Sequence, residues 1–461
     1  MTRKADPSPA ARDDNGARDD NGAARDDKSG LARKLTAFDA TMIVMGGIIG
    51  SGIFVNPAEV ARRVSSPAMS TLAWTIGGVI ALVGGFVYAE LAARRPQVGG
   101  QYAYLRDAFH PIVAFLYGWT LLLVVQTGGM AASALVFGRY ARELTGIAAP
   151  EWLWASATLM TLTVINCVGV KAGSNVQSFF MIVKLLVIAT VIGTGLFLFK
   201  GVAPATTTST TGSSLGLVTA LVPIMFTYGG WQTASFVSGE MKDPQRDLAR
   251  GLIFGVIGVV TVYLLVNTSF LAALGFNGLA ASKAPASDVM RTVFGERGAR
   301  FIAAGVALST VGFLSQSMLT APRVYFAMAR DGLFFSKIGD LGEKSRVPVA
   351  AIVLQGITAS IIAIVGRFEQ VLNYVVSIDV LFFGLTGASL LIFRRREQGE
   401  APAIKVPFHP ISTILFVAAC WAICVTTVVS APRDAGGGVA ILLIGVPVFL
   451  IWNRRRAATS R

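Results

Sequence analysis

Apolar runs of about 18 residues or more recur along the chain, each long enough to cross a bilayer as a helix. They predict about twelve spans, over 38–64, 68–93, 111–141, 151–168, 174–199, 215–240, 251–274, 300–329, 347–365, 368–393, 409–429 and 436–451. The polar segments between them are short, so no soluble catalytic domain is expected. The pattern therefore predicts an all-α polytopic membrane protein. The first 36 residues differ: Ala11-Arg12-Asp13-Asp14-Asn15-Gly16 recurs as Ala17-Arg18-Asp19-Asp20-Asn21-Gly22. Such a segment has little to bury, and it is expected to be disordered.

Two of the apolar runs contain a contradiction. The first carries Gly46-Gly47-Ile48-Ile49-Gly50-Ser51-Gly52-Ile53-Phe54 at its centre. Each glycine in a helix interior costs about 1 kcal/mol against alanine, so a span built only to cross lipid would avoid them. An unwound segment at membrane depth survives where it lines a polar cavity or is buried in protein. It leaves N–H groups at the start of the second half-helix, a place suited to a carboxylate. Close helix packing is the alternative use of these glycines. The sixth run is interrupted in the same way by Phe226-Thr227-Tyr228-Gly229-Gly230-Trp231-Gln232, with Pro223 upstream. Breaks at corresponding positions point to an inverted-repeat transporter. The expected organisation is a tail over 1–36, five spans over 37–200, an inverted set of five over 201–397, and two further spans with a short tail over 398–461.

Composition agrees with the pattern. The 461 residues are 53% hydrophobic and 14% charged, well below the roughly 25% of soluble domains. The net charge of +14 sits largely in loops and in the C-terminal tail, which disfavours nucleic-acid binding. With an even number of spans both termini share one side, and Lys and Arg are more frequent there. That bias predicts cytoplasmic termini in the inner (cytoplasmic) membrane. Cys167, Cys420 and Cys424 fall in apolar runs without metal-ligand spacing. His110 and His409 each precede a proline at a span boundary, again without ligand spacing. No phosphate-binding G-x-x-x-x-G-K-[ST] motif occurs, so ATP-driven transport is disfavoured. No metal site, cofactor or cleavable signal peptide is expected.

Two charges lie deep in predicted spans. Lys184 is about ten residues, or about 15 Å, into the fifth span, too far for its stem to reach the interface comfortably. Asp379 lies in the middle of the tenth. An intramembrane charge is a functional hypothesis by default. Asp379 could select a substrate with a polar or cationic side chain, serve as a protonated donor, or only satisfy neighbouring helices.

The chain resembles the amino acid–polyamine–organocation superfamily of transporters from about Asp39 onward. The resemblance rests on Gly50-Ser51-Gly52-Ile53-Phe54, Pro96-Gln97-Val98-Gly99-Gly100-Gln101-Tyr102, and Phe226-Thr227-Tyr228-Gly229-Gly230-Trp231. Glu240-Met241-Lys242-Asp243-Pro244 and Arg323-Val324-Tyr325-Phe326-Ala327-Met328-Ala329-Arg330-Asp331-Gly332 follow in order. Within the superfamily it looks most like the L-type amino acid transporter branch and its bacterial relatives. The resemblance implies that the α-carboxylate of an amino acid sits on the backbone of Gly50, Ser51 and Gly52. The α-ammonium would meet carbonyls of Ile48, Phe226 and Gly229, with Phe226 as an aromatic gate and Gly230 completing the break. Gln232 and Asp379 would face the substrate side chain, and Gln126 is a weaker candidate. It further implies that Lys184 replaces a sodium ion, bridging carbonyls near Met45 and Gly46 to hydroxyls such as Ser309 or Thr310. Arg323, Glu90 and Glu240 are expected to form ion pairs that hold one face closed.

The expected activity is sodium-independent secondary transport of a small neutral L-amino acid by alternating access, through exchange or proton coupling. A cationic amino acid or polyamine is the alternative cargo, and a membrane-embedded enzyme the alternative class. Relatives in that branch may pair with a single-span glycoprotein through an extracellular cysteine. No cysteine lies in the loop after the third span, so no disulfide-linked partner is expected.

Overall fold

A computed structural model of the protein describes residues 35–168, 170–198, 214–343, 345, 347–366, 368–397, 402 and 404–459. The repeat over 11–27, with the disorder expected of it, lies outside the described residues. Within them the secondary structure is helical, apart from one isolated bridge between Leu35 and Met241. Eight unbroken helical stretches among the described residues are long and apolar enough to cross a membrane: Pro67–Arg94, Pro111–Arg142, Phe180–Leu198, Pro244–Ala281, Pro285–Arg330, Gln370–Arg396, Ile411–Ser430 and Pro432–Asn453. A bent pair, Ala37–Ile48 and Gly52–Arg63, forms the first span with a 45° turn between its halves. The shorter helices Ser214–Tyr228, Glu151–Val168 and Val349–Val365 occupy the sixth, fourth and ninth predicted positions. The chain is an all-α, multi-pass membrane protein. Phe254, Leu186, Val164 and Leu415 point outward on different helices, apolar surface that suits a lipid surround.

Three details depart from the expected elements. The sixth span does not resume as a long half-helix after its break; Thr233–Phe236 has only 4 residues and passes into a single tight turn at Ser238–Glu240. Gln101–Ala108 forms a helix between the second and third spans, where the sequence predicts only a connection. The seventh and eighth spans run past their apolar segments, turning at Gly275 and Gly295, whose φ values of 68° and 61° suit glycine.

The helices pair in a regular way. The first span lies against the sixth, the second against the seventh, the third against the eighth and the fourth against the ninth. Trp74, Tyr228 and Tyr263 lock the second, sixth and seventh spans together, with ring centroids 5.2–6.2 Å apart. Such edge and tilted pairs add to the stabilisation from burial alone. The central helices thereby become a framework that can hold two unwound segments in place.

One end of the bundle is closed around Leu35. Its N–H donates to the Glu240 carbonyl at 2.9 Å, and its own carbonyl accepts from the Lys242 N–H at 2.8 Å. Toward the opposite end lies an open basin of about 710 Å³, with Glu59, Arg62, Arg139 and Lys283 among its walls.

Candidate functional site

The site begins with the first break. The Gly50 N–H turns back to the Ile48 carbonyl at 2.9 Å, and the Phe54 N–H reaches the Ser51 carbonyl at 3.2 Å. Between them the amides of Ser51, Gly52 and Ile53 stand at the start of the 12-residue helix Gly52–Arg63, where no intrahelical acceptor exists. The dipole of that helix adds a partial positive charge at the same place. The Ser51 hydroxyl lies 3.3 Å from that of Ser133 on the third span.

The sixth break supplies the opposite polarity. The helix Ser214–Tyr228 ends with the Gly229 N–H on the Met225 carbonyl at 2.8 Å. Gly230 follows at φ 113°, a conformation that favours glycine, and its N–H donates to Gln232 Oε1 at 2.9 Å. A Cβ on Gly230 would stand 2.2 Å from the Gly47 carbonyl oxygen. The two breaks therefore touch through their glycines. Both uses of glycine read from the sequence are present: Gly47, Gly52 and Gly230 allow close approach of the two spans, and all three line the cavity with Gly50.

Between the breaks lies a cavity of about 70 Å³. Ile48, Gly50, Ser51, Gly52, Phe226, Gly229, Gly230, Gln232 and Asp379 all line it, and so does Gln126. Sequence reasoning missed Gly129, Ser133 and Phe313, which also line it. The spacing of Gln126, Gly129 and Ser133 puts them on one face of a helix, a signal that could have found Ser133. Phe313 carried no local signal; its ring lies 3.3 Å from where a Cβ on Gly50 would be. Asn56 lines the outer basin and donates at 2.7 Å to the Thr227 hydroxyl, which lines the cavity. This pair stands between basin and cavity.

Two expected contacts differ. The Ile48 carbonyl accepts from the Tyr263 hydroxyl at 3.0 Å as well as from the Gly50 N–H, which uses both of its lone pairs. An ammonium there would share the carbonyl with these two donors or displace one of them. The second correction concerns Lys184, which is buried behind the first break. Its ammonium donates to the carbonyls of Ile49 at 2.7 Å and Gly46 at 3.2 Å. The Met45 carbonyl instead accepts from the Ile49 N–H. The Thr310 hydroxyl turns to its own helix, donating to Val306 at 2.9 Å, and the buried Ser309 hydroxyl has no hydrogen-bond partner. Lys184 thus caps the carbonyl end of the first half-helix and makes no hydrogen bond to Ser309 or Thr310 of the eighth span. The reason is geometric: the carbonyls of Gly46 and Ile49, three residues apart at the end of the helix Ala37–Ile48, converge within reach of one ammonium.

Arg323 is buried and donates from Nε to Glu240 at 3.0 Å, next to the Leu35 closure. Glu90 belongs to a separate cluster: it accepts from Arg94 at 2.9 Å, from Arg394 at 2.8 Å and from the Val406 N–H at 2.8 Å. Nearby, Arg106 bonds Asp331 and Asp107; burial opposes its charge, but these carboxylates hold its pKa above the ordinary value. His110 caps a helix through Ile112, and His409 bonds Thr413. No cluster of His, Cys, Asp and Glu able to hold a metal occurs among the described residues.

Residues 35–450 match the family described as Amino acid permease. The serine/threonine exchanger SteT of Bacillus subtilis (strain 168) is 30% identical over 444 residues, covering 94% of this chain and 99% of that protein. Large neutral amino acids transporter small subunit 2 of Homo sapiens is 32% identical over 435 residues, covering 91% of this chain and 80% of that protein. The b(0,+)-type amino acid transporter 1 of Oryctolagus cuniculus is 31% identical over 390 residues, covering 82% and 79%.

Proposed function

Since the chain belongs to the amino acid permease family, and is an amino acid transporter rather than an enzyme, we propose that it moves a small neutral L-amino acid across the cytoplasmic membrane. Transport is by alternating access and without sodium. One observation carries this reading: a single cavity is bounded by the N–H ends of one broken span and the C=O ends of another. That pairing of polarities suits a zwitterion, with its carboxylate on Ser51 and Gly52 and its ammonium near Phe226 and Gly229. The cavity's volume of about 70 Å³ favours a small cargo.

Sodium independence follows from Lys184, whose ammonium fills the place between carbonyls that a cation would need. Exchange is the preferred coupling, supported by the name of the SteT relative, with proton coupling as the other route. The pairing of the first four spans with the sixth to ninth suits two five-span repeats over 37–200 and 201–397, with 398–461 peripheral. The excess of Lys and Arg on one side supports cytoplasmic termini.

Counterflow in proteoliposomes tests the reading. Internal L-alanine or L-serine should accelerate uptake of the labelled external amino acid, equally with sodium or choline outside. Uptake that ignores internal amino acid, or that requires sodium, would end the exchange and sodium-independence parts respectively. A second reading, a cationic amino acid or polyamine, is favoured only by the Asp379 carboxylate facing the cavity. Competition by L-lysine and putrescine decides between the two.

A further inference from the structure

The resemblance implies that Asp379 faces a substrate side chain; the structure sets its carboxylate beside Gly229. Three oxygens face the bare side of Gly229: Met225 O, Phe226 O and Asp379 Oδ2 lie 3.0, 3.6 and 3.7 Å from where its Cβ would be. Two of them are carbonyls from the last turn of the sixth-span helix, the negative end of its dipole. The third is a carboxylate, which carries a full charge when ionised. Among the described residues the Asp379 carboxylate has neither an ion pair nor a hydrogen bond, although it lies deep in the bundle and lines the cavity. An isolated carboxylate in such a place is costly unless something pairs with it. The buried basic groups Lys184 and Arg323 bond elsewhere, to Gly46 and Ile49 and to Glu240.

The Ile48 carbonyl, the third expected acceptor for the ammonium, is already taken by Tyr263 and Gly50. An ammonium at Ile48 would have to compete with these donors, whereas the carboxylate of Asp379 stands unpaired beside the sixth-break carbonyls at Gly229. We propose that Asp379 is the counter-ion of the substrate α-ammonium, closing the ring of oxygens around Gly229. This rests on the amino acid reading of the cavity and deepens it. Recognition of a zwitterion then has one full charge, at its cationic end, while the carboxylate end is held by neutral amides and the Ser51 hydroxyl. The side-chain end of the cavity is left to Gln126, Ser133 and apolar groups such as Val376 and Phe313. Gly229 gains a reason of its own, because any side chain there would occupy the ammonium's place.

The two roles for Asp379 predict different patterns of loss. In proteoliposomes, Asp379→Asn should raise the half-saturation concentration of L-alanine, L-serine and L-lysine by a common factor of about tenfold or more, as expected when a charged hydrogen-bond partner is lost. Inhibition by L-lactate, which has a hydroxyl in place of the ammonium, should not weaken with it. Gly229→Ala should reproduce the uniform loss. If Asp379→Asn does not transport, ligand-induced thermal stabilisation of the detergent-solubilised variant by the same compounds reads binding directly. Wild-type affinity for L-alanine with a selective loss for L-serine or L-lysine would overturn the proposal in favour of a side-chain selector. Failure of the wild-type protein itself to counterflow any of the three would instead strike the amino acid reading beneath it.

Discussion

The two broken spans solve the same problem with unequal means. The first keeps two full half-helices, Ala37–Ile48 and Gly52–Arg63, and its unwound turn is braced from behind by Lys184. The sixth keeps one long half, and past Gly230 only 4 helical residues, Thr233–Phe236, remain before the tight turn. Its break is braced from within, by Gln232 on the Gly230 N–H and by Thr233 donating to the Gly230 carbonyl at 2.7 Å. The difference follows from which ends are offered. A helix start presents amides that need a long dipole behind them, and the 12 residues after Ser51 supply it. A helix end presents carbonyls of the preceding helix, so the residues after the sixth break can be few. The cation that steadies the first break comes from the protein; for the sixth, on the role proposed for Asp379, it comes with the cargo.

Four expected outcomes would break or sharpen this contrast. Ser51→Leu should abolish uptake in proteoliposomes, at least about a hundredfold, because it blocks the amide end and removes the bond to Ser133; normal uptake would remove the first break from the site. Lys184→Ala should cut exchange about tenfold or more without creating sodium dependence, since it strands the buried carbonyls of Gly46 and Ile49. Sodium-stimulated uptake in that variant would mean that the clamp only displaces an ion site. Gly230→Ala should lower the thermal midpoint in detergent by a change worth about 2–4 kcal/mol, from its φ of 113° and the clash with Gly47. An unshifted midpoint would show that the two breaks can separate freely. Glu240→Gln should cost about 1–2 kcal/mol by the same assay, because the Arg323 guanidinium keeps hydrogen bonds but loses its counter-charge at the closed end.

The amino-acid sequence by itself determined the all-α membrane architecture and the positions of both breaks, at which glycines line the cavity. These are local matters: apolar length decides whether a segment crosses lipid, and a glycine cluster within such a segment decides where it comes undone. Glycine spacing could not say which glycines pack and which face a ligand, since that depends on what lies opposite: the Gly47 carbonyl for Gly230, the Phe313 ring for Gly50. Nor could it assign the carbonyls. The Ile48 carbonyl accepts from Tyr263, 215 residues away, and Lys184 finds Ile49 across 135 residues. Hydrogen-bond capacity is consumed by whichever donor the tertiary fold brings within about 3 Å, and no stretch of sequence records that competition.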